Sequence, residues 1–367
     1  MKKPEEILFE FRQEIDATLD KKEKVEKILE FGLTYGDNFG EKMIDLFEEG
    51  MALSREINFK GGEVICYYNV LFFVGMTKGV QKEKYRLSVE DATKMLHDLK
   101  DDSEWYPLGL NQLAFFHWFK GEYEKGFNII FEATKLTGSG NYSIAWNYFG
   151  LAVFYFDTKD YENARLSYQK AFDLFDEKKH SYGRARAANG LASVAILQNK
   201  SEEALELLSF CTSIYRDLSH HSGLSRAVND LGILEKINKN YPKAIELLKE
   251  SAELRKEINH YQGLVTCYTE LGEVYLLSGD FNSALKEFEK GMELAIKVDS
   301  KQKQMRLHKL FYDTYKELKH TDLALENLER YYEIKSKLLS DDASNNIKKS
   351  RPSSKKKNRK RKLRLND

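Results

Sequence analysis

Small residues recur along this chain with a fixed beat. Ala164, Ala204, Ala244, Ala284 and Ala324 stand 40 residues apart. A second series, Ala152, Ala192, Gly232 and Gly272, keeps the same spacing, with Ala114 38 residues ahead of it. Each member of that series follows a leucine: Leu113, Leu151, Leu191, Leu231 and Leu271. At the next step Phe311 and Tyr312 replace the pair. An aromatic residue opens the stretch after it at Tyr123, Tyr161, Tyr241 and Phe281, with Ser201 and Thr321 as replacements. Small side chains at fixed points let antiparallel helices approach closely, and large apolar neighbours one turn away fill the space beside them. The pattern predicts helical hairpins over about 24–57, 61–100, 104–137, 142–177, 182–218, 222–258, 262–298 and 302–338, behind a leading helix at about 4–20.

The turns follow from the same reading. SGDFNSAL (278–285) and NKNYPKAI (238–245) carry Gly, Asp or Asn where the chain reverses. Pro242 falls in the first turn of its helix, where its missing N–H costs nothing. Gly183, Gly223 and Gly263, again 40 apart, are expected to mark turns between units. The fold class is therefore all-α, a right-handed α-solenoid of about eight helical hairpins with a disordered basic C-terminal tail. Residues 1–100 are expected to form divergent repeats or a small bundle, 101–338 the solenoid, and 339–367 a linker and tail.

The leucine–small–aromatic–alanine pattern resembles the tetratricopeptide repeat family in its longer form of about 40 residues. The resemblance covers 104–338 well and 24–100 loosely. The ending YYEIKSKLLSDDASNNIKK (331–349) is similar to the segment that leaves the repeat array in bacterial signalling proteins. There the array precedes a histidine kinase, a nucleotide cyclase or a helix-turn-helix output domain. The resemblance implies a cytoplasmic, non-enzymatic scaffold for proteins or extended peptides, serving regulation or sensing in bacterial signal transduction.

The resemblance also implies where a ligand lies, because in this family the first helices line a concave groove. Residues five and two before each leucine share one helix face. This places Trp146, Arg186, Arg226 and Arg306 in one row and Asn111, Phe149, Asn189, Asn229 and Lys309 in the other. Two successive units repeat an Arg-x-x-Asn pair, Arg186/Asn189 and Arg226/Asn229. Asn both donates to and accepts from a peptide backbone, and Arg grips a carboxylate or phosphate with two parallel bonds. Trp146 and Phe149 offer an apolar pocket at one end, and Arg306 with Lys309 a grip for an acidic group at the other. The expected partner is an extended peptide with at least one acidic group.

Composition narrows the alternatives. Hydrophobic residues make up 42% of the 367 residues, enough to build a core, and only four prolines interrupt the helices. The cysteines Cys66, Cys211 and Cys267 are far apart, so neither disulfide staples nor a zinc site is expected. The most apolar stretch, 64–76, is short of the roughly 20 residues that span a bilayer. Phosphate-loop, HExxH, GxSxG and GxGxxG motifs are absent, and TGSGNYS (137–143) reads as a turn between hairpins. His180, His220 and His260 lie 40 apart. Stacked units about 10 Å apart keep such rings from one metal ion, so they read as turn residues. No cofactor and no metal are expected.

The formal charge of zero conceals an asymmetry. Residues 348–367 hold eleven Lys/Arg against one Asp, which leaves residues 1–347 with a net charge of −10. The tail can attract nucleic acid or an anionic membrane by charge alone, or fold back on the acidic body. No output domain follows the connector-like segment, so the chain also reads as the sensor half of a truncated signalling enzyme. Self-association through exposed end faces into a homo-oligomer is a further expectation.

Overall fold

The computed structural model of the chain describes residues 1–76, 89–102, 104–136 and 143–350. Among the described residues there are 17 α-helices and no strand. They are α1 (Pro4–Ala17), α2 (Lys21–Phe39), α3 (Lys42–Glu56), α4 (Lys60–Met76), α5 (Val89–His97), α6 (Trp105–Phe119), α7 (Tyr123–Ala133), α8 (Ser143–Asp157) and α9 (Tyr161–Glu177). They continue with α10 (Ser181–Leu197), α11 (Ser201–Asp217), α12 (His221–Ile237), α13 (Tyr241–Glu257), α14 (Tyr261–Leu277), α15 (Phe281–Lys297), α16 (Lys301–Glu317) and α17 (Thr321–Ser350). After α1 they pair as the eight expected hairpins, from α2 with α3 to α16 with α17. The last helix runs past the expected end at 338 as far as Ser350. The glycine-rich run at 137–142 and the tail from 351 onward lie outside the described residues.

A shorter beat underlies the 40-residue one. From α9 to α16 every helix has 17 residues. The middle residue of each joint has positive φ: Lys159, Lys179, Asn199, Ser219, Lys239, Asn259, Gly279, Asp299 and Lys319, 20 residues apart. Such a left-handed residue ends a helix by letting the next N–H turn back to an orphan carbonyl. His180 N–H donates to the Phe175 carbonyl at 2.9 Å, and His220 N–H to that of Tyr215 at 2.8 Å. The same residue then caps the helix that follows. Asp160 and Asp280 accept from the N–H groups of Asn163 and Ser283, at 3.2 and 3.1 Å. His180 and His220 do so through Nδ1, from Gly183 at 2.9 Å and Gly223 at 2.8 Å.

This corrects the reading of the glycine series as turn residues. Gly183 and Gly223 lie in the first turns of α10 and α12. A Cβ there would meet the rings of Phe175 at 2.4 Å and Tyr215 at 2.5 Å. Close packing demands these glycines, and the reversal is made by the residues before them. The alanine series behaves as its spacing predicts: Ala164, Ala204, Ala244 and Ala284 are fully buried, and Ala324 nearly so. Gly272 lies against Phe288, where a Cβ would come within 2.2 Å of the ring.

The chain divides into two compact units, Met1–Asn259 and His260–Asp367. The second holds α14–α17 around Val265, Phe288, Leu307 and Phe311. In the first, the leading helices of the pairs stack in a row, α4 on α6, α6 on α8, α8 on α10 and α10 on α12. The helix α2 packs on α3 and α4 at the start of that row, yet also touches α12 at its far end.

Candidate functional site

The site lies where the last turn of α2 meets α10 and α12. Arg186 on α10 and Arg226 on α12 occupy the same register one helix pair apart, so their side chains emerge on one face. Both point at a single oxygen of Asp37. Arg186 Nη1 donates to Asp37 Oδ2 at 2.8 Å, and Arg226 Nη2 lies 3.6 Å from the same atom. Arg186 Nη1 also donates to the Tyr182 hydroxyl at 3.1 Å. The guanidinium stacks over the ring of Phe149, its carbon 5.0 Å from the centroid.

Three further contacts tie the end of α2 to the repeats, and a fourth comes from the segment ahead of α1. His220 Nε2 and the Thr34 carbonyl are 2.6 Å apart. The Tyr35 hydroxyl donates to the Leu218 carbonyl at 2.9 Å, and the Ser222 N–H to Asn38 Oδ1 at 2.7 Å. Lys2 N–H donates to Ser219 Oγ at 3.0 Å. Around them Tyr35, Tyr182 and Tyr215 crowd the His220 ring, with centroids 5.5, 4.7 and 5.6 Å away.

The electrostatics follow from this crowding. Burial works against the Asp37 charge, but Arg186, Arg226 and His220 outweigh it and hold the carboxyl at about 2. Burial also opposes the charge on Arg186, yet Tyr182 and Asp37 raise its pKa. His220 is pushed down to about 4, chiefly by burial. It is therefore neutral, with Nδ1 accepting from Gly223 and Nε2 donating to Thr34. Burial raises the phenols of Tyr35, Tyr182 and Tyr215, and the thiols of Cys66 and of Cys211, the latter to about 12. Two guanidiniums thus face one carboxylate oxygen within a ring of aromatic side chains. Among the described residues no three His, Cys, Asp or Glu side chains are grouped to hold a metal ion. The rings of His180 and His220 serve as helix caps.

The other residues singled out by register fall into three groups. Phe149 lies under Arg186, the Trp146 ring meets the Phe149 ring edge to face at 5.6 Å, and both are buried. The two rings pack between α8 and α9, that of Trp146 against Phe175 and that of Phe149 against Tyr168. The asparagines are turned to neighbouring helices. Asn111 Nδ2 donates to the Trp146 carbonyl at 2.9 Å, and Asn189 Nδ2 to Asp230 Oδ2 at 2.8 Å. Asn229 is buried. Asn189 Oδ1 remains buried without a protein partner. In the second unit, Arg306 pairs with Glu270 at 2.8 Å and with Glu273, and Lys309 with Asp313 at 2.6 Å. The residue that register did not reveal is Asp37, which belongs to no ladder.

The tetratricopeptide repeat model matches residues 142–217 and 224–297, and the chain carries tetratricopeptide repeats over those residues. No curated protein matches it significantly. Among solved structures it is similar to a Rap protein complexed with competence and sporulation factor. The two share 16% identity at a TM-score of 0.57, over 87% of this chain and 99% of that one. It is also similar to aspartyl phosphate phosphatase F from Bacillus subtilis, with 15% identity, a TM-score of 0.55, and 87% and 85% of the two chains covered. The Cut9–Hcn1 assembly of the APC/C gives a TM-score of 0.63 at 12% identity, over 88% of this chain and 56% of that one. At these identities the likeness establishes the fold alone.

Proposed function

We propose that the chain is a non-catalytic scaffold that binds an extended peptide or protein segment bearing an acidic group. The carrying observation is the convergence of Arg186 and Arg226, one helix pair apart, on one carboxylate oxygen. A pair of that geometry is selective for carboxylate because each guanidinium offers directed donors in a fixed plane. Phe149 under Arg186 fixes the plane of the guanidinium, so less freedom is lost on binding. Asn189 and Asn229, one turn further on, are buried, with Asn189 donating to Asp230, so they brace this face from beneath. We assign the scaffold to the regulatory or sensory side of a bacterial signalling system, acting in the cytoplasm. The connector-like segment 331–349 supports that assignment, as does the likeness in fold to a Rap protein solved with a sporulation factor.

The test is binding of a library of extended ten-residue peptides, followed by fluorescence polarisation on the best sequences. Acidic sequences are expected to be selected. The double variant Arg186→Ala/Arg226→Ala should bind them at least about tenfold more weakly, as expected when charge-assisted bonds are lost. The pair Asn189→Ala/Asn229→Ala should also weaken them. Selection of neutral or basic peptides, or unchanged affinity in the arginine variant, refutes the reading.

A second reading rests on the net charge of +10 over 348–367. A tail with this charge binds polyanions with a steep dependence on salt. Deleting residues 351–367 separates the two readings: a groove ligand stays bound, whereas a polyanion is released.

A further inference from the structure

Asp37 does to Arg186 and Arg226 what an external carboxylate would do. It comes from another part of the chain, 149 residues before Arg186. The segment that carries it is the last turn of α2, which ends at Gly40 in the left-handed region, φ 53°. A helix C-terminus is itself an electronegative end, through its unpaired carbonyls. The Asp37 carboxylate of this turn faces Arg186 and Arg226, and the Thr34 carbonyl, one turn earlier in α2, faces His220. The match of charge is that of a ligand to its site.

The contact also has the character of a reversible one. Its members are polar and directed: Thr34 to His220, Tyr35 to Leu218, Asp37 to the arginines and Asn38 to Ser222. Apolar packing of this turn on the repeats runs through the Tyr35 ring against His220. The remaining surface of α2 is committed elsewhere, to α1, α3 and α4. Losing the contact to α10 and α12 therefore leaves α2 in its own bundle.

We infer that the Asp37 turn of α2 is an internal occupant of the arginine pair, and that an acidic ligand binds by displacing it. The inference rests on the reading of Arg186 and Arg226 as a ligand site. Internal and external carboxylates compete for the same Nη1 donor. The apparent affinity for a ligand is then the intrinsic affinity scaled by the fraction of molecules in which the turn has lifted. Changes on α2 that weaken the contact will raise affinity without touching the groove. They will also uncover the Ser222 amide, whose hydrogen goes to Asn38.

The experiment uses the full chain and a fixed probe, a fluorescein-labelled, amidated Gly/Ser decapeptide with three glutamates. A counterpart carries glutamine in their place. Binding is read by polarisation, and opening by hydrogen–deuterium exchange over residues 218–226. Asp37→Asn should bind the glutamate probe about five- to tenfold more tightly, the gain expected as the open fraction rises. The glutamine probe should be unaffected. Tyr35→Phe removes one bond to Leu218 and no charge, so it separates displacement from a mere rise in local potential. It should give a gain of about two- to threefold. Exchange should quicken in both variants.

Equal binding of the glutamate probe by the wild type and both variants overturns the displacement while the groove reading stands. A gain in Asp37→Asn alone, with unchanged exchange in both variants, also overturns it, since charge then explains the effect. Quickened exchange with no probe binding in any form overturns the groove reading, and the displacement with it.

Discussion

Asp37 Oδ2 accepts from Arg186 Nη1 at 2.8 Å across 149 residues of chain, and the same oxygen lies 3.6 Å from Arg226. The Arg186 side chain is 19% exposed and that of Asp37 39%. The pair therefore sits between the screened ion pairs of a surface and the dry ones of a core. Exposed pairs contribute roughly 0–1 kcal/mol, and bonds to charged groups up to about 3 kcal/mol when shielded. Asp37→Asn is expected to lower the stability of the first unit by about 1 kcal/mol, read as a shift in urea midpoint. The difference from wild type should shrink in 1 M salt, where the Debye length is about 3 Å.

Acid should weaken the first unit through its buried histidines. His180 and His220 are both pushed down to about 4 in the folded chain, mainly by burial, whereas an unfolded histidine titrates near 6.5. Between those values the unfolded chain holds more protons than the folded one, so stability rises with pH. The contribution is complete above about 6.5 and is lost as pH falls through about 4. For the fully buried His220 this is on the order of 2 kcal/mol between pH 7.5 and 5. Protonation also forces Nδ1 to give up the Gly223 N–H. Urea midpoints at pH 7.5 and 5 should differ, and His220→Asn, which keeps a capping oxygen, should flatten the slope. An unaltered slope in that variant would show that other groups carry it.

The repeat was legible because packing is local and periodic. Ala164, Ala204, Ala244 and Ala284 answer to the same neighbour in each pair, so selection for closeness leaves a mark every 40 residues. The 20-residue beat was hidden because Lys, Asn, Ser, Asp and Gly all serve at its left-handed position. His180 and Gly183, or His220 and Gly223, carried the cap in plain view as an i, i+3 pair. Histidine is an uncommon capping residue, so the spacing suggests a turn instead. Asp37 was illegible for a different reason. Its partners are set by how the pairs curve back on one another, which no period in the sequence encodes. Asn111 and Asn189 show the limit of register: it fixed their helix face, but their amides reach the next helix.

The left-handed joints make a stabilising change available. Lys239 holds φ 62° in the joint before α13, a conformation that costs a residue with a Cβ about 1–2 kcal/mol. Glycine removes this cost and adds about 0.5–1 kcal/mol of unfolded-state entropy. Lys239→Gly is therefore expected to stabilise the first unit by roughly 0.5 kcal/mol, seen as a higher urea midpoint. The same change at Asn199 should give less, because Asn tolerates this region better.

The two glycines of the leucine–small series should respond unequally to alanine. At Gly272 the new Cβ would come within 2.2 Å of Phe288, a rigid ring that is fully buried. At Gly232 it meets Leu248 at 2.8 Å, a side chain with rotamers to spare. Overpacking costs about 1–3 kcal/mol, and Gly272→Ala should fall at the top of that range, Gly232→Ala at the bottom. Both are offset a little by the higher helix propensity of alanine, by about 1 kcal/mol. Thermal unfolding of each variant gives the comparison, and equal losses would mean that the Phe288 ring yields as readily as a leucine.

Arg306 separates a structural role from a ligand-holding one. Its guanidinium holds Glu270, whose side chain is only 6% exposed, together with Glu273 at 19%. Burial opposes its charge, but the two carboxylates raise its pKa. Arg306→Ala removes a cation from between two carboxylates, one of them buried, and breaking a buried pair from one side costs up to about 3–5 kcal/mol. Because Arg306 is 47% exposed, solvent screens part of this, and a loss of about 2 kcal/mol is expected. Removing the buried charge should restore stability, so Glu270→Gln in the Arg306→Ala background should recover part of the loss. A double-mutant cycle on denaturant midpoints measures this directly. A coupling near zero would mean that Arg306 is held only loosely by these glutamates and stays available to an acidic partner.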